Sequence, residues 1–234
     1  NVVERVAAAE AAQRVARDPL PHGPSPLRYQ IRIAGYPDDL RCVPPPGASV
    51  DHEYGRASSD WSLITEYDPL YIGVNATGTN STVMLTQGTG WGQFGWFKSK
   101  MQNGTVQRQS VSQTKYPGSN PVNNYWPAPG VGNQTTYEVR YTTSGFQYYR
   151  NGQLMITVGP AVVPNQYQIF SETHDRQDQM PGGTNLKEFF RLSQYYSGGS
   201  WQSATATIAT SEPQWYGYAN PMTGGYDVWD LSCT

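Results

Sequence analysis

One stretch of the chain, Gln168–Gly183, concentrates the ionisable side chains from which an acid–base site could be built. Its charged or titratable residues are Glu172, His174, Asp175, Arg176 and Asp178. The apolar run Tyr167–Phe170 leads into them and predicts a buried strand, and Pro181-Gly182-Gly183 then forces a turn. A carboxylate at the end of a strand, partly inside an apolar sheet, can become a useful acid or base. A solvated, charged turn is the competing interpretation.

A sandwich of short strands is the framework that would position this stretch. From Arg28 onward, runs rich in β-branched and aromatic residues alternate with turn residues, which is typical of an antiparallel β-sandwich of the jelly-roll kind. The predicted strands are Tyr29–Ile33, Trp61–Thr65, Leu70–Val74, Thr82–Thr86, Trp91–Phe97, Thr105–Val111, Tyr137–Tyr141, Phe146–Arg150, Leu154–Val158, Tyr167–Phe170, Phe189–Tyr195, Ala204–Ile208 and Tyr226–Leu231. Asn151-Gly152 is the strongest hairpin signal, because the pair accepts the positive φ angles of a type I′ turn. We therefore predict one all-β domain over residues 28–234.

Residues 1–27 differ in composition from the rest of the chain. Val2–Asp18 is rich in Ala, carries charged residues spaced around a helix, and ends at Asp18-Pro19. The segment DPLPHGPSP that follows is a Pro-rich linker. The pattern predicts a helical arm, or the remnant of a pro-segment, attached to the β domain. A helix packed on the back of the sandwich is the alternative.

Composition and charge exclude two classes of partner. The formal net charge is −2 and the sequence pI is about 5.9. No cluster of Lys and Arg forms a basic patch that could bind nucleic acid or an anionic membrane. No apolar run approaches the length that spans a bilayer. The sequence therefore predicts a soluble protein without nucleic-acid or membrane partners, and it leaves the oligomeric state open.

The cysteines and glycosylation motifs favour a secreted protein. Cys42 and Cys233 lie near the two ends of the β region, so we expect one disulfide that closes almost the whole domain. In the chain-entropy model, a loop of that length stabilises the fold by about 4 to 5 kcal/mol. Asn-x-Ser/Thr motifs occur in segments that read as polar and turn-like, at Asn75, Asn80, Asn103 and Asn133.

The residue pattern implies no metal and no cofactor. His22, His52 and His174 are scattered, and with two distant cysteines they give no zinc-ligand spacing. A serine nucleophile would need a context such as Gly-x-Ser-x-Gly, which does not occur. Calcium binding through Asp175 and Asp178 is a minor alternative, although their spacing fits no defined loop motif. A glycosidase-type carboxylate pair is disfavoured, because these acidic residues lack the alternation that places two on one strand face.

Two segments carry a resemblance to a known family. The run YEVRYTTSGFQYYRNGQLM, from Tyr137 to Met155, resembles the hairpin of concanavalin-like jelly rolls. Gly92-Gln93-Phe94-Gly95-Trp96 resembles the first catalytic strand of the glutamic peptidases, the eqolisin and neprosin-like families, where an amide or carboxyl residue stands two before a glycine. The second catalytic glutamate of those families comes from a later strand, and Glu172 is in that relative place. Gln93 departs from the neprosin-like pattern, which has Glu there.

The resemblance implies metal-independent cleavage of peptide bonds at acidic pH. Glu172 would take a proton from water, and the Gln93 amide would stabilise the oxyanion, a contribution of about 3 to 4 kcal/mol. His174, Asp175 and Trp96 would modify the site. His174 would share a strand face with Glu172 only if the strand continues past Glu172.

A binding function is the open alternative. The predicted loops Pro117–Gly132 and Gly198–Ser203 carry Tyr125, Trp126 and Trp201, which could line a groove for a substrate or stack on sugar rings. A lectin-like module would bind a glycan in this way without catalysis. The order of the two predicted catalytic residues favours the peptidase, with a polypeptide as its substrate. A structural protein whose helical arm docks on a neighbour is a third interpretation.

Overall fold

The structure is a computed structural model that describes residues 59–65, 75–174, 178, 181, 187–204 and 216–231. The predicted helix Val2–Asp18, the linker that follows it and the pair Cys42 and Cys233 lie outside the described residues. The predicted strands Tyr29–Ile33 and Leu70–Val74 lie outside them as well, as do residues 205–208 of the predicted strand Ala204–Ile208.

Thirteen antiparallel strands in two sheets form the described part of the chain, which contains no helix. The strands are β1 Ser59–Thr65, β2 Thr77–Gln87, β3 Gly90–Lys100, β4 Val106–Lys115, β5 Val122–Pro127, β6 Gln134–Thr142, β7 Gly145–Arg150, β8 Gln153–Val158, β9 Gln166–Thr173, β10 Glu188–Ser197, β11 Ser200–Ser203, β12 Tyr216–Met222 and β13 Gly225–Asp230. One sheet has the order β12-β13-β10-β1-β6-β7-β8, with β11 added to β10, and the other has the order β5-β4-β3-β2-β9. The predicted antiparallel β-sandwich is therefore confirmed. Within these residues, no helix is long and apolar enough to cross a membrane.

Aromatic side chains from both sheets form the core. The Phe94 ring of β3 lies edge-on to Tyr137 and Tyr148 of the other sheet, with centroid separations of 5.0 and 5.8 Å. The hydroxyl of Tyr148 lies 2.6 Å from the hydroxyl of Thr114 and donates to the Gln113 carbonyl at 3.0 Å. Burial raises the pKa of the Tyr148 phenol well above its usual range, and the Thr114 hydrogen bond lowers this pKa by a smaller amount. The phenol therefore stays protonated and links the two sheets.

The predicted hairpin at Asn151-Gly152 is confirmed. Arg150 pairs with Gln153 across the turn, and Asn151 and Gly152 have φ angles of 49° and 78°. The Asn151 side chain accepts a hydrogen bond from the backbone N–H of Thr136 at 2.9 Å, which ties the turn to β6. Asn tolerates this left-handed conformation better than other residues with a side chain, and Gly adopts it freely.

The prediction that the aromatic segments are loops was wrong. Residues 122–127 form β5 and residues 200–203 form β11, so Tyr125, Trp126 and Trp201 all lie in strands. β12 was missed as well. These strands are short or polar, with Asn and Pro in β5, so they lack the apolar alternation from which a strand is recognised. Pairing with a neighbouring strand determines their conformation instead.

One of the four glycosylation motifs does not lie in a turn, contrary to the sequence-based expectation. Asn80 is in the middle of β2 and its side chain is fully buried. Asn75, Asn103 and Asn133 are exposed. The first of these is in the turn before β2 and donates from its amide to the Gln102 carbonyl at 3.1 Å.

We expect Asn80 to remain unmodified in folded protein secreted from a host that glycosylates, because a glycan there would prevent β2 from packing. Only the three exposed asparagines can carry a glycan in the native fold. Peptide mass spectrometry after enzymatic deglycosylation in heavy-oxygen water would show which asparagines were occupied. A glycan found on Asn80 of a cooperatively folding protein would contradict the structure.

We expect Phe94→Ala to lower the free energy of unfolding by about 3 to 5 kcal/mol, because it empties the centre of the aromatic core. Urea denaturation would measure the change. Val122→Ala is the control: its side chain is 53% exposed, so the loss should stay within about 0.5 kcal/mol. A similar, small effect of both substitutions would place the core elsewhere.

Candidate functional site

Glu172 lies near the end of β9, on the face of the five-stranded sheet that points away from the other sheet. Its backbone neighbour on the adjacent strand β2 is Asn80. The Asn80 Nδ2 atom donates to Glu172 Oε1 at 3.3 Å. The Asn80 side chain is fully buried, whereas that of Glu172 is 15% exposed. A buried amide from the neighbouring strand therefore orients a carboxylate that solvent can reach.

His174 lies beside Glu172 on the same face. The strand pairing continues past Glu172, because the His174 backbone N–H donates to the Gly78 carbonyl at 2.8 Å. Residues 172 and 174 therefore face the same way, as the prediction required. His174 Nε2 lies 3.8 Å from Glu172 Oε1 and 2.8 Å from Asn80 Nδ2. The ring also contacts Phe97 edge-on, with centroids 6.3 Å apart.

Two oxygen atoms next to this cluster are buried without a hydrogen-bond partner in the described part of the chain. They are Asn80 Oδ1 and Thr82 Oγ1, on the same face of β2. A buried acceptor without a partner costs about 1 to 3 kcal/mol. The cluster therefore places unsatisfied polar groups beside an acid–base pair, as functional sites often do.

The structure does not bring Gln93 next to Glu172. Gln93 in β3 pairs with Met84 in β2, and Met84 pairs with Gln168 in β9. Gln93 therefore shares the outer face with Glu172. The two positions are separated by four residues along the strand direction, about 13 Å, and by two strands across the sheet, about 10 Å. Its amide donates to Gln113 Oε1 instead. The order of these residues along the chain is visible in the sequence, whereas the register in which their strands pair is not.

Trp96 is on the opposite face from Glu172, which corrects its expected role beside the site. Its side chain is fully buried in the core, and its indole N–H donates to Glu188 Oε1 at 2.9 Å. The cause is the alternation of β3, which directs Phe94 and Trp96 into the core and Gln93 to the other side. Asp175 lies outside the described residues.

The three predicted substrate-binding aromatics do not form one groove. Tyr125 and Trp126 are neighbours in β5 and therefore face opposite ways. Tyr125 is 55% exposed, whereas Trp126 packs against Phe94 at 5.6 Å. Trp201 belongs to the other sheet and lies beside Tyr196. A cleft of about 450 Å³ adjoins β5; its lining residues are Gln107, Arg108, Gln109, Tyr125, Trp126 and Pro127.

Asn80 is the site residue that sequence analysis missed. It was recognised only as part of a glycosylation motif. Val83 and Leu85 mark the core face of β2, so the alternation of this strand places Asn80 on the other face. That alternation was the available signal. The described residues contain no group of three or more His, Cys, Asp or Glu side chains that could hold a metal ion.

Solved structures that resemble this chain include glutamic peptidases. One is a crystal structure of Scytalido-glutamic peptidase with a peptide-based transition state analog, at 10% identity and a TM-score of 0.47, covering 76% of this chain and 94% of that one. Another is SCP-B, a member of the eqolisin family of peptidases, in a complex with the tripeptide Ala-Ile-His, at 10% identity and a TM-score of 0.44, with the same coverage.

The likeness to the glutamic peptidases is distant. Comparison of this chain with protein-family models gives no match, and comparison with curated proteins gives none either. The fold class follows from the two antiparallel sheets of the chain itself.

Double-mutant cycles would test which amide contacts Glu172. We expect Asn80→Ala and Glu172→Gln to be coupled by about 0.5 kcal/mol or more in unfolding free energy, because the two side chains are in contact. Gln93→Ala and Glu172→Gln should be additive within about 0.5 kcal/mol, because the side chains are far apart. Strong coupling of Gln93 to Glu172, with none for Asn80, would contradict the strand register.

Proposed function

We propose that this protein is a glutamic-peptidase-like hydrolase that cleaves peptide bonds with Glu172 as its general base. The observation that carries the proposal is the pair Glu172 and His174, whose Oε1 and Nε2 atoms lie 3.8 Å apart. Their side chains are 15% and 40% exposed, beside the fully buried Asn80. This is a partly solvated acid–base pair held against a rigid sheet.

The chemistry needs only this carboxylate and water. Ionised Glu172 takes a proton from water as the water oxygen bonds to the carbonyl carbon of the substrate. Protonated Glu172 then returns that proton to the leaving amine nitrogen as the C–N bond breaks. A positioned acid or base contributes about a hundred- to ten-thousandfold to such a reaction. The resemblance to the glutamic peptidases implies activity in mildly acidic solution, and because the reaction uses no metal we expect insensitivity to chelators.

Secretion forms part of the same proposal. Three of the four Asn-x-Ser/Thr motifs have exposed asparagines, so glycans would not disturb the fold there. The substrate class that we propose is an extended or denatured polypeptide, whose backbone can approach a carboxylate at the end of an outer strand.

We expect Glu172→Gln to reduce cleavage of a denatured protein substrate by about a hundredfold or more, with little change in melting temperature. Cleavage would be followed at several pH values from mildly acidic to neutral. Gln166→Ala is the matched control, because Gln166 starts the same strand, on the same face and away from the cluster. It should keep the rate of the wild-type protein.

Gln93→Ala provides a second comparison. If Glu172 works with Asn80, this substitution should cost much less activity than Glu172→Gln. If Gln93 donates to the oxyanion despite its register, the loss should approach about a hundredfold. Absence of cleavage by the wild-type protein across the whole pH range, or full activity of Glu172→Gln, would overturn the proposal.

A further inference from the structure

We propose that Asn80 is a positioning residue that holds His174 in the tautomer with its proton on Nδ1 and, through the same amide, orients the Glu172 carboxylate. The catalytic meaning of this inference rests on the proposed function, but the tautomer itself does not. Asn80 is suited to the task because it is fully buried in β2, which is paired on one side with β3 and on the other with β9.

The carboxylate of Glu172 decides the orientation of the Asn80 amide. An ionised carboxylate only accepts hydrogen bonds, so Nδ2 and not Oδ1 must face Glu172 Oε1, which is 3.3 Å away. With Oδ1 in that place, two acceptors would face each other without a hydrogen between them. The amide orientation therefore follows from the hydrogen-bonding chemistry of the two groups.

The second hydrogen of the same amide determines the state of His174. Nδ2 lies 2.8 Å from His174 Nε2. Because Nδ2 is a donor, Nε2 must accept and cannot carry a proton. A neutral imidazole carries one proton, so that proton is on Nδ1. The amide hydrogen occupies the Nε2 lone pair, so Glu172 remains as the base. His174 keeps Nδ1–H as its hydrogen-bond donor.

The unpartnered oxygen of Asn80 shows that this arrangement has a cost. Asn80 Oδ1 is buried without a hydrogen-bond partner among the described residues, and so is Thr82 Oγ1. A buried Asn that served stability alone would satisfy its carbonyl oxygen, since leaving it unsatisfied costs about 1 to 3 kcal/mol. Both amide hydrogens instead go to the two titratable groups of the site.

The tautomer can be read directly by NMR in the full chain. Long-range ¹H–¹⁵N spectra separate protonated from unprotonated ring nitrogens, and His174→Gln assigns the signal of this ring among the three histidines of the sequence. We expect the Nδ1–H form in the wild-type protein. We expect Asn80→Ala to shift the population towards Nε2–H, and Asn80→Asp, whose carboxylate can only accept, to favour a proton on Nε2.

Thr82→Val is the matched control, because it changes the neighbouring polar residue on the same face of β2. It should leave the His174 tautomer unchanged. Dispersed backbone amide spectra would show that each variant is folded, and a failure of Asn80→Ala to fold would move the test to Asn80→Asp. An Nε2–H tautomer in the wild-type protein, or the same tautomer in the wild-type protein and a folded Asn80 variant, would overturn the inference.

Kinetics separate this inference from the proposed function. If the protein cleaves peptides, Asn80→Ala should lower kcat by about ten- to a hundredfold with KM little changed, because a positioning contact is lost and not a substrate contact. The pH profile should change as well, whereas a purely structural role would leave its shape intact. If the protein cleaves nothing but the Nδ1–H tautomer depends on Asn80, the proposed function fails and the role of Asn80 stands.

Discussion

The alternation of side chains along β2 is the constraint on which both the core and the candidate site depend. Val83 and Leu85 point into the core, while Asn80 and Thr82 point to the other face. A shift of the strand by one residue would exchange these two sets, placing an amide in the core and an aliphatic side chain beside Glu172. The apolar core thus fixes the register that creates the polar cluster.

Close contact between β2 and β3 reinforces that register. The two strands are joined by the two-residue turn Gly88-Thr89, and Gln87 pairs with Gly90 directly across it. Further along, Gly95 lies so near β2 that a Cβ atom would overlap the Ser81 carbonyl oxygen. Only glycine permits this approach. The same glycine belongs to the segment on which the family resemblance was recognised, so part of that resemblance reflects backbone packing.

The sequence predicted the fold and the shared face of Glu172 and His174, but not the contacts between neighbouring strands. Alternating apolar residues and the Asn151-Gly152 pair are local signals, and both predictions based on them were confirmed. The shared face of Glu172 and His174 also follows from local periodicity. The distance between Gln93 and Glu172 depends on how β3, β2 and β9 are aligned, which no local pattern contains. For Asn80, the alternation of β2 indicates which face the side chain occupies, but not that its partners are Glu172 and His174 from a later part of the chain.

Placing the cluster on two neighbouring strands divides it into a protected half and an accessible half. β2 has hydrogen-bonded neighbours on both sides, so its backbone amides should exchange with solvent only when the whole sheet opens. β9 is the last strand of the five-stranded sheet among the described residues; Glu172 lies near its end and His174 directly follows it. The Asn80 side chain is fully buried, whereas those of Glu172 and His174 are 15% and 40% exposed. The cluster thus joins an amide that solvent does not reach to titratable groups that solvent and solutes can reach.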